Sequence, residues 1–228
     1  MDDKRIYVVR GNTRQNHDTV TLSLSFPDDR IPTYIPGQFI TIYFPELGTP
    51  EGKAYSISSA PHEKRLNITI KAIGEFSNRL CAMQPGSRVL ASLPYGFFCS
   101  ENEDTDLVMI AAGIGITPFR SLITHACLYT PNRKLSLFYS VRTRNDCIFM
   151  DELPLRVPTH QFVTREATTN ISATLRRMDA RDILGVKAPD GAEFFICGSI
   201  SFVRDLWRGL KGAGVPEDRI YTEAFFSH

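Results

Sequence analysis

The sequence predicts a β barrel plus an α/β unit: an N-terminal antiparallel barrel followed by a doubly wound parallel sheet. Three observations carry that expectation. Residues 5–100 read as short segments of period-two alternation between Pro- and Gly-rich turns, with a single short helical period among them. Beyond Glu101-Asn-Glu-Asp-Thr-Asp106, an acidic and turn-rich run, the pattern switches to strands alternating with helices. The first of those strands runs into Gly113-Ile-Gly-Ile-Thr-Pro118, in the order strand, glycine turn, helix. The acidic run is the natural boundary, giving domains over residues 1–102 and 103–228.

In the first unit, Thr19-Val-Thr-Leu-Ser-Leu-Ser25 and Asn67-Ile-Thr-Ile-Lys71 alternate as half-buried antiparallel strands do. Pro27-Asp-Asp-Arg-Ile-Pro32, Pro36-Gly37, Gly48-Thr-Pro-Glu-Gly52 and Pro85-Gly86 punctuate the chain. About six strands at this spacing favour a small barrel. Lys53-Ala-Tyr-Ser-Ile-Ser-Ser59 stands out, because it places a cation, an aromatic ring and a run of hydroxyls on one strand. Lys53, Tyr55 and Ile57 share one face, Ser56 and Ser58 the other. An ordinary barrel strand can carry the same residue types. In Gly74-Glu-Phe-Ser-Asn-Arg-Leu80, Ser77 is expected to cap a short helix beginning near Asn78. A helix N-terminus beside a basic strand residue suits a pyrophosphate.

In the second unit, Leu107 to Ala112 is apolar without alternation, as in a strand of a parallel sheet covered by helices on both faces. Gly113 and Gly115 remove side chains where the chain must turn sharply, Thr117 is placed to cap the next helix, and Pro118 suits its first turn. Free N–H groups and the positive helix end there suit a phosphate, although any βα turn can carry a Gly-x-Gly. A helix to about Tyr129 follows, then strands near 134–141 and 160–164 and a helix near 172–177. A strand near 193–197, a helix near 201–212 and a closing strand near 220–223 complete the pattern. Ligands of such a sheet bind beyond the C-terminal ends of its strands. There, Arg142 and Arg144 occur with no carboxylate before Asp146, and the next strand ends in Thr164-Arg165. Basic residues at this point favour a 2′-phosphate over a 2′-hydroxyl; arginines after a strand are also common on any surface. Phe195-Ile-Cys197-Gly198 ends a later strand at the same edge, where a buried cysteine is most often packing.

The 228 residues, 43% hydrophobic and 22% charged, suffice for one large domain or two ordinary ones with full cores. A net charge of +1 gives no bulk attraction for nucleic acid or anionic membrane. No apolar run approaches the roughly 20 residues that span a bilayer, and Met-Asp-Asp-Lys-Arg opens no signal-peptide pattern. Cys81, Cys99, Cys127, Cys147 and Cys197 are scattered without metal or iron–sulfur spacing, as expected of reduced thiols in the cytoplasm. The five histidines show no ligand spacing, so no metal is assigned, and Trp207 reads as a core residue of its helix.

The order Pro36-Gly-Gln-Phe39, Lys53-Ala-Tyr-Ser56, Gly74-Glu-Phe-Ser77, Pro94-Tyr-Gly96 and Gly113-Ile-Gly-Ile-Thr-Pro118 resembles the ferredoxin–NADP reductase superfamily. Cys197-Gly198 and Glu223-Ala-Phe225 continue the match, which runs from about Tyr7 to Phe226. Bacterial single-component reductases and the reductase modules of oxygenase systems look most similar. The resemblance implies FAD on the strand Lys53, Ala54, Tyr55, Ser56: Tyr55 stacked on the isoalloxazine, Ser56 near its N5, and Lys53 on the pyrophosphate where the family usually has arginine. Lysine is a point charge without the bidentate fork, so looser flavin binding is expected. Gly74, Phe76 and Ser77 match the second pyrophosphate segment and favour FAD over FMN. Gly113, Gly115, Thr117 and Pro118 would hold a nicotinamide dinucleotide, with Arg142, Arg144, Thr164 and Arg165 favouring NADPH while NADH stays possible. Cys197 and Gly198 would lie against the nicotinamide, Glu223 would relay a proton, and Phe225 or Phe226 would cover the flavin ring. Ser56, Cys197 and Glu223 are thus the expected catalytic residues.

The function so implied is a flavoprotein reductase that takes hydride from NADPH (or NADH) to FAD and passes single electrons on. With no cysteine cluster and a chain that stops after the nucleotide domain, a ferredoxin, a flavodoxin or an oxygenase component is expected as acceptor. Lys53, Arg79, Arg88 and Arg120 are scattered candidates for a basic docking face. Three alternatives remain open on the sequence: a free-flavin reductase, a non-catalytic electron-transfer subunit of a larger complex, and a degenerate nucleotide-binding redox sensor. Oligomeric state is not encoded in these patterns.

Overall fold

The computed structural model describes residues 4–167, 173–186 and 191–225. Its first half is built from strands β1 (Lys4–Arg14), β2 (Thr19–Ser25), β3 (Phe39–Phe44), β4 (Thr49–Ser56), β5 (Leu66–Lys71) and β6 (Arg88–Ser92), with helix α1 (Glu75–Cys81) between the last two. The antiparallel order is β4-β3-β6-β1-β2-β5. The two edges meet through a bridge between Ile57 and Ile68 and the bond from Ser58 N–H to Asn67 O, 2.8 Å, which closes the barrel. Alternation decides which side chains fill it: Val20, Leu22 and Leu24 of β2 join Ile40, Ile42, Ile57, Ile68 and Ile70 inside. The opposite face of β2 and β5 is a hydroxyl and amide ladder, Thr21 to Thr69 at 2.8 Å and Ser23 to Asn67 at 2.7 Å.

The second half contains β7 (Leu107–Ala112), α2 (Thr117–Tyr129), β8 (Leu135–Val141), β9 (Thr159–Val163), β10 (Ala173–Thr174), α3 (Ala180–Gly185), β11 (Glu193–Ser199), α4 (Ile200–Gly212) and β12 (Ile220–Phe225). All pairs are parallel in the order β10-β9-β8-β7-β11-β12. Strand β7 lacks polar alternation because both its faces are covered. Met109 and Ala111 pack with Phe119 and Ile123 of α2, while Val108 and Ile110 pack with Phe202, Leu206 and Leu210 of α4. Succession along the chain reverses direction between β7 and β11, and the crevice beyond their C-terminal ends is where such sheets take ligands.

One expected element is corrected. In place of a helix near 172–177 the chain makes β10 and then α3, with residue 172 outside the described residues. Asp179 caps α3 by accepting from Arg181 N–H at 2.8 Å, and Asp182 accepts from Asp179 N–H at 2.8 Å, a reciprocal capping box. Trp207 is half-buried at the rim of the α4 core, with the Lys211 ammonium 4.7 Å over its ring. No helix among the described residues is long and apolar enough to cross a membrane.

Candidate active site

The two units meet along a seam where α2 bonds the barrel segment that follows β4. On β4, Lys53 and Tyr55 share the face that carries Ile40 and Ile42 of the neighbouring β3. Tyr55 stacks on Phe76 with ring centroids 6.4 Å apart, and the Lys53 ammonium lies 5.3 Å from the centre of the same ring. Phe76 is the second residue of α1, so Lys53 stands beside the first turn of that helix. A cation next to unbonded first-turn N–H groups is the arrangement a pyrophosphate needs. Ala54, on the other face, is exposed.

Two details of this segment depart from expectation. Helix α1 begins at Glu75 with Gly74 at its N-cap, so Ser77 lies inside the first turn. Its hydroxyl accepts from Ile73 N–H (2.9 Å) and Gly74 N–H (3.1 Å) and donates to Gly74 O (3.0 Å), which uses its full capacity. Ser77 therefore shapes the turn with its side chain rather than reaching out of it. Phe76 is only 4% exposed and packs on Phe44, so its side chain supports Tyr55 and Lys53 from within the barrel.

Beyond β7 the glycines do different work. Gly113 adopts φ +53°, a left-handed conformation that side chains resist. Gly115 permits close approach instead: a Cβ there would sit 2.3 Å from Cys197 O. Thr117 does not cap α2. It is the first helical residue, 2% exposed, and its hydroxyl donates to Ile114 O at 3.0 Å, while Pro118 occupies the first turn as expected. The turn thus lies flat on the end of β11, and a Cβ at Gly198 would meet that of Ala112 at 2.9 Å.

Strands β11 and β12 carry the remaining candidates. Cys197 is fully buried and pairs in register with Glu223. Burial, and secondarily the Glu223 carboxyl, push its thiol well above the ordinary range, so it offers shape and not a thiolate. Burial raises the Glu223 carboxyl to about 7, with the Ser56 hydroxyl opposing that shift. Ser56 is thus close enough to act on the Glu223 carboxyl, yet no bond of ordinary geometry reaches Ser56 Oγ or Glu223 Oε2 among the described residues, and both atoms are buried. Other buried polar atoms among the described residues, Tyr139 Oη and Glu193 Oε2 among them, also lack a partner, so it is the closeness of these two across the seam that sets them apart. Phe225 is half-buried and packs on the core cluster containing Phe195 and Cys197. Phe226 lies outside the described residues.

The arginine group divides. A cleft of about 580 Å³ is lined by Arg142, Thr143, Asn145, Asp146 and Arg165 from the parallel sheet and by Asn16 and His17 from the barrel. Arg142, Thr164 and Arg165 are exposed, with Arg165 N–H donating to Arg142 O at 2.8 Å and the Thr164 hydroxyl to Val141 O at 3.2 Å. Arg144 is instead bound by Glu166, which accepts from its backbone N–H (2.6 Å) and its Nε (2.9 Å). Two of the lining residues, His17 and Asp146, cluster with Asp18 within 4.8 Å, and the Lys71 ammonium lies 3.1 Å from Asp18 and 3.5 Å from Asp146. Arg120 is not a surface cation: it is 8% exposed, between Glu63 and Glu152. Sequence spacing carried no sign of that network, whose partners are 57 and 32 positions away, nor of Glu166.

Residues 109–207 match the family model described as an oxidoreductase NAD-binding domain. The chain is 34% identical over 216 residues to the ferredoxin reductase component of 3-ketosteroid-9-alpha-monooxygenase from Mycolicibacterium smegmatis, covering 92% of this chain and 60% of that protein. The corresponding component from Rhodococcus rhodochrous is 30% identical, covering 97% of this chain and 65% of the relative. The chain thus spans about three-fifths of the length of these relatives. Among solved structures, a ferredoxin NADP+ reductase from Neisseria gonorrhoeae with bound FAD and NADP shares the fold, with a TM-score of 0.81 at 23% identity over 99% of this chain and 100% of that one. A flavohem-like FAD/NAD binding domain of nitric oxide dioxygenase from Vibrio cholerae does so with a TM-score of 0.84 at 23% identity, over 98% and 99%. A closed antiparallel barrel joined to a parallel dinucleotide sheet is thus the two-domain fold of these ferredoxin–NADP reductase-like structures, and the sequence relatives are reductase components.

Proposed function

We propose that the chain is an FAD-dependent NAD(P)H oxidoreductase module that hands electrons to a separate redox partner, a ferredoxin or an oxygenase component being the acceptor class its relatives suggest. The observation that carries this reading is the pair of orphaned buried atoms, Ser56 Oγ at the end of β4 and Glu223 Oε2 on β12, which act on one another across the seam. The residues present fit a flavin: Tyr55 for its ring, Ser56 at the ring's polar edge, and Lys53 with the first turn of α1 for its pyrophosphate. Bound FAD would supply hydride acceptance and release of electrons one at a time. The chain's own contribution is alignment. Gly115 and Gly198 leave a flat backbone surface, and the buried Cys197 adds a small apolar wall that excludes water. Glu223, half-protonated near neutrality, can hold or release a proton beside Ser56.

Arg142 and Arg165, exposed on the cleft wall, support NADPH over NADH, because a 2′-phosphate needs cations that are not already committed. Arg144, paired with Glu166, contributes less. We assign residues 1–102 to flavin binding and 103–228 to the nucleotide. The test is an anaerobic titration of the FAD-loaded protein, followed by its visible spectrum. Bleaching at about one equivalent of NADPH, with NADH much less effective, is expected. Flavin that neither nucleotide reduces would refute the reading.

A further inference from the structure

A second group of side chains on the seam lies outside the residues assigned to either cofactor. Arg120, in the first turn of α2, has five N–H donors and all are used. Nη1 donates to Ser58 O (2.8 Å) and Glu63 (3.0 Å), Nη2 to Glu63 (3.3 Å) and Glu152 (3.1 Å), and Nε to Glu152. The hydroxyl of the next residue, Ser121, donates to Ser59 O at 2.6 Å. Glu63 belongs to the barrel and is itself fixed by Ala60 N–H at 2.7 Å, whereas Glu152 belongs to the parallel-sheet unit. One guanidinium is thus balanced by a carboxylate from each side.

The location of this bracket gives it a consequence. Ser58 and Ser59 lie two and three residues beyond Ser56, and Arg120 and Ser121 lie three and four residues beyond Thr117 at the end of the glycine turn. Along the chain the two are joined only by the long route through β5, α1 and β6. Two ion pairs elsewhere across the seam, Lys71 and His17 to Asp146 at 3.5 and 3.9 Å, involve side chains 26% and 59% exposed, against 10% for Arg120. Such exposed pairs are screened and tolerate movement. A planar guanidinium, in contrast, fixes direction as well as distance. If cohesion alone were needed, apolar side chains would serve as well or better than a buried ion network.

We propose that Arg120 is a positioning residue for hydride transfer: its bracket sets the spacing and tilt between the strand that carries Tyr55-Ser56 and the turn Gly113–Ile116. The proposal rests on the flavin and nucleotide reading above. Small misplacements of reacting groups can cost about a hundredfold in rate, so loss of direction with charge retained is the informative change.

The test compares Arg120→Lys and Glu152→Gln with the parent, all loaded with FAD, by rapid mixing with NADPH under anaerobic conditions. Glu152→Gln keeps Arg120 and its barrel partners, so a folded variant is available even where Arg120→Lys is not. Three quantities are read: the rate of flavin reduction, the NADPH dissociation constant, and the long-wavelength charge-transfer absorbance of stacked nicotinamide and flavin. For Arg120→Lys the expectation is a fall of about tenfold or more in rate and a weakened charge-transfer band, with the NADPH dissociation constant changed by less than about threefold. Glu152→Gln should lie between Arg120→Lys and the parent. Variants that melt earlier but keep the parental rate and band would overturn the proposal while leaving the site reading intact. A parent protein that holds FAD yet is reduced by neither nucleotide would overturn the site reading and the bracket together.

Discussion

Ser56 and Ser58 lie two residues apart at the end of one strand, both almost fully buried, in opposite states. Ser58 has its hydroxyl bonded to Thr69 at 2.9 Å, its N–H to Asn67 O and its carbonyl to Arg120. Ser56 Oγ has no partner among the described residues, and neither does Glu223 Oε2 across from it. The nearest carboxylates follow the same division. Burial alone would raise Glu63, but hydrogen bonds from Arg120, Arg65 and Ala60 outweigh it and bring it to about 2. For Glu223 burial prevails and raises it to about 7. A polar group buried and satisfied is structure, whereas two unsatisfied groups close together, a hydroxyl and a carboxyl, leave donors and acceptors for a ligand to complete. The seam holds both kinds within a few residues.

The contrast can be broken from its strong side first. Arg120→Met takes the shared cation from Glu63 and Glu152, leaving Glu63 only Arg65 and the Ala60 N–H, and removal of one partner from a buried ion network costs about 3–5 kcal/mol. Thermal unfolding should show it as a drop of about 6–20 °C for a chain of this size. Glu223 comes next. Its folded pKa of about 7 lies above its ordinary 4.5, so the folded state binds more protons between those values. Stability of the flavin-free protein should therefore fall as pH rises from about 4.5 to 7, by about 3 kcal/mol, and stay low above that. Denaturant titrations across this range should show the fall in the parent and lose it in Glu223→Gln. Glu63 works in the opposite sense: its folded value is depressed, so its contribution is present above about pH 4.5 and disappears as pH falls towards 2.

Smaller effects sharpen the ligand side. Arg142→Ala should lower the preference for NADPH over NADH about ten- to a hundredfold in kcat/KM, a loss expected of one charge-assisted contact of about 1.5–3 kcal/mol. An unchanged preference would remove Arg142 from the coenzyme site. Lys53→Arg should tighten FAD binding a few-fold, because a guanidinium adds the bidentate geometry the ammonium lacks. Equilibrium binding of FAD to both proteins decides that point.

Much of the architecture was legible before any coordinates. Period-two alternation in Thr19-Val-Thr-Leu-Ser-Leu-Ser25 and the unbroken apolar run Leu107 to Ala112 report on one-sided and two-sided burial directly. Helix α3 escaped because its signal is a pair of aspartates, Asp179 and Asp182, in a polar stretch with little apolar period. Within the site, the faces of β4 followed from alternation alone, whereas Ser77 and Thr117 were assigned cap positions they do not hold. In both, the hydroxyl bonds backbone within its own turn, a choice that depends on where the helix starts. Arg120 was misread as a surface cation because nothing local distinguishes it. Its burial is decided by Glu63 and Glu152, which reach it only through the tertiary fold. Local patterns reveal faces and turns; which charges meet across a seam is a property of the assembled fold.

The most direct test sets Ser56→Ala beside Ser58→Ala, with melting of the flavin-free proteins and NADPH-driven flavin reduction measured for each. Ser56→Ala should leave the melting temperature unchanged or raise it, since it removes an unsatisfied buried hydroxyl, and should slow reduction about tenfold or more. Ser58→Ala should lose about 1 kcal/mol of stability and keep the parental reduction rate. The reverse outcome, with Ser56→Ala melting early and reacting normally, would contradict the division of this seam into scaffold and site.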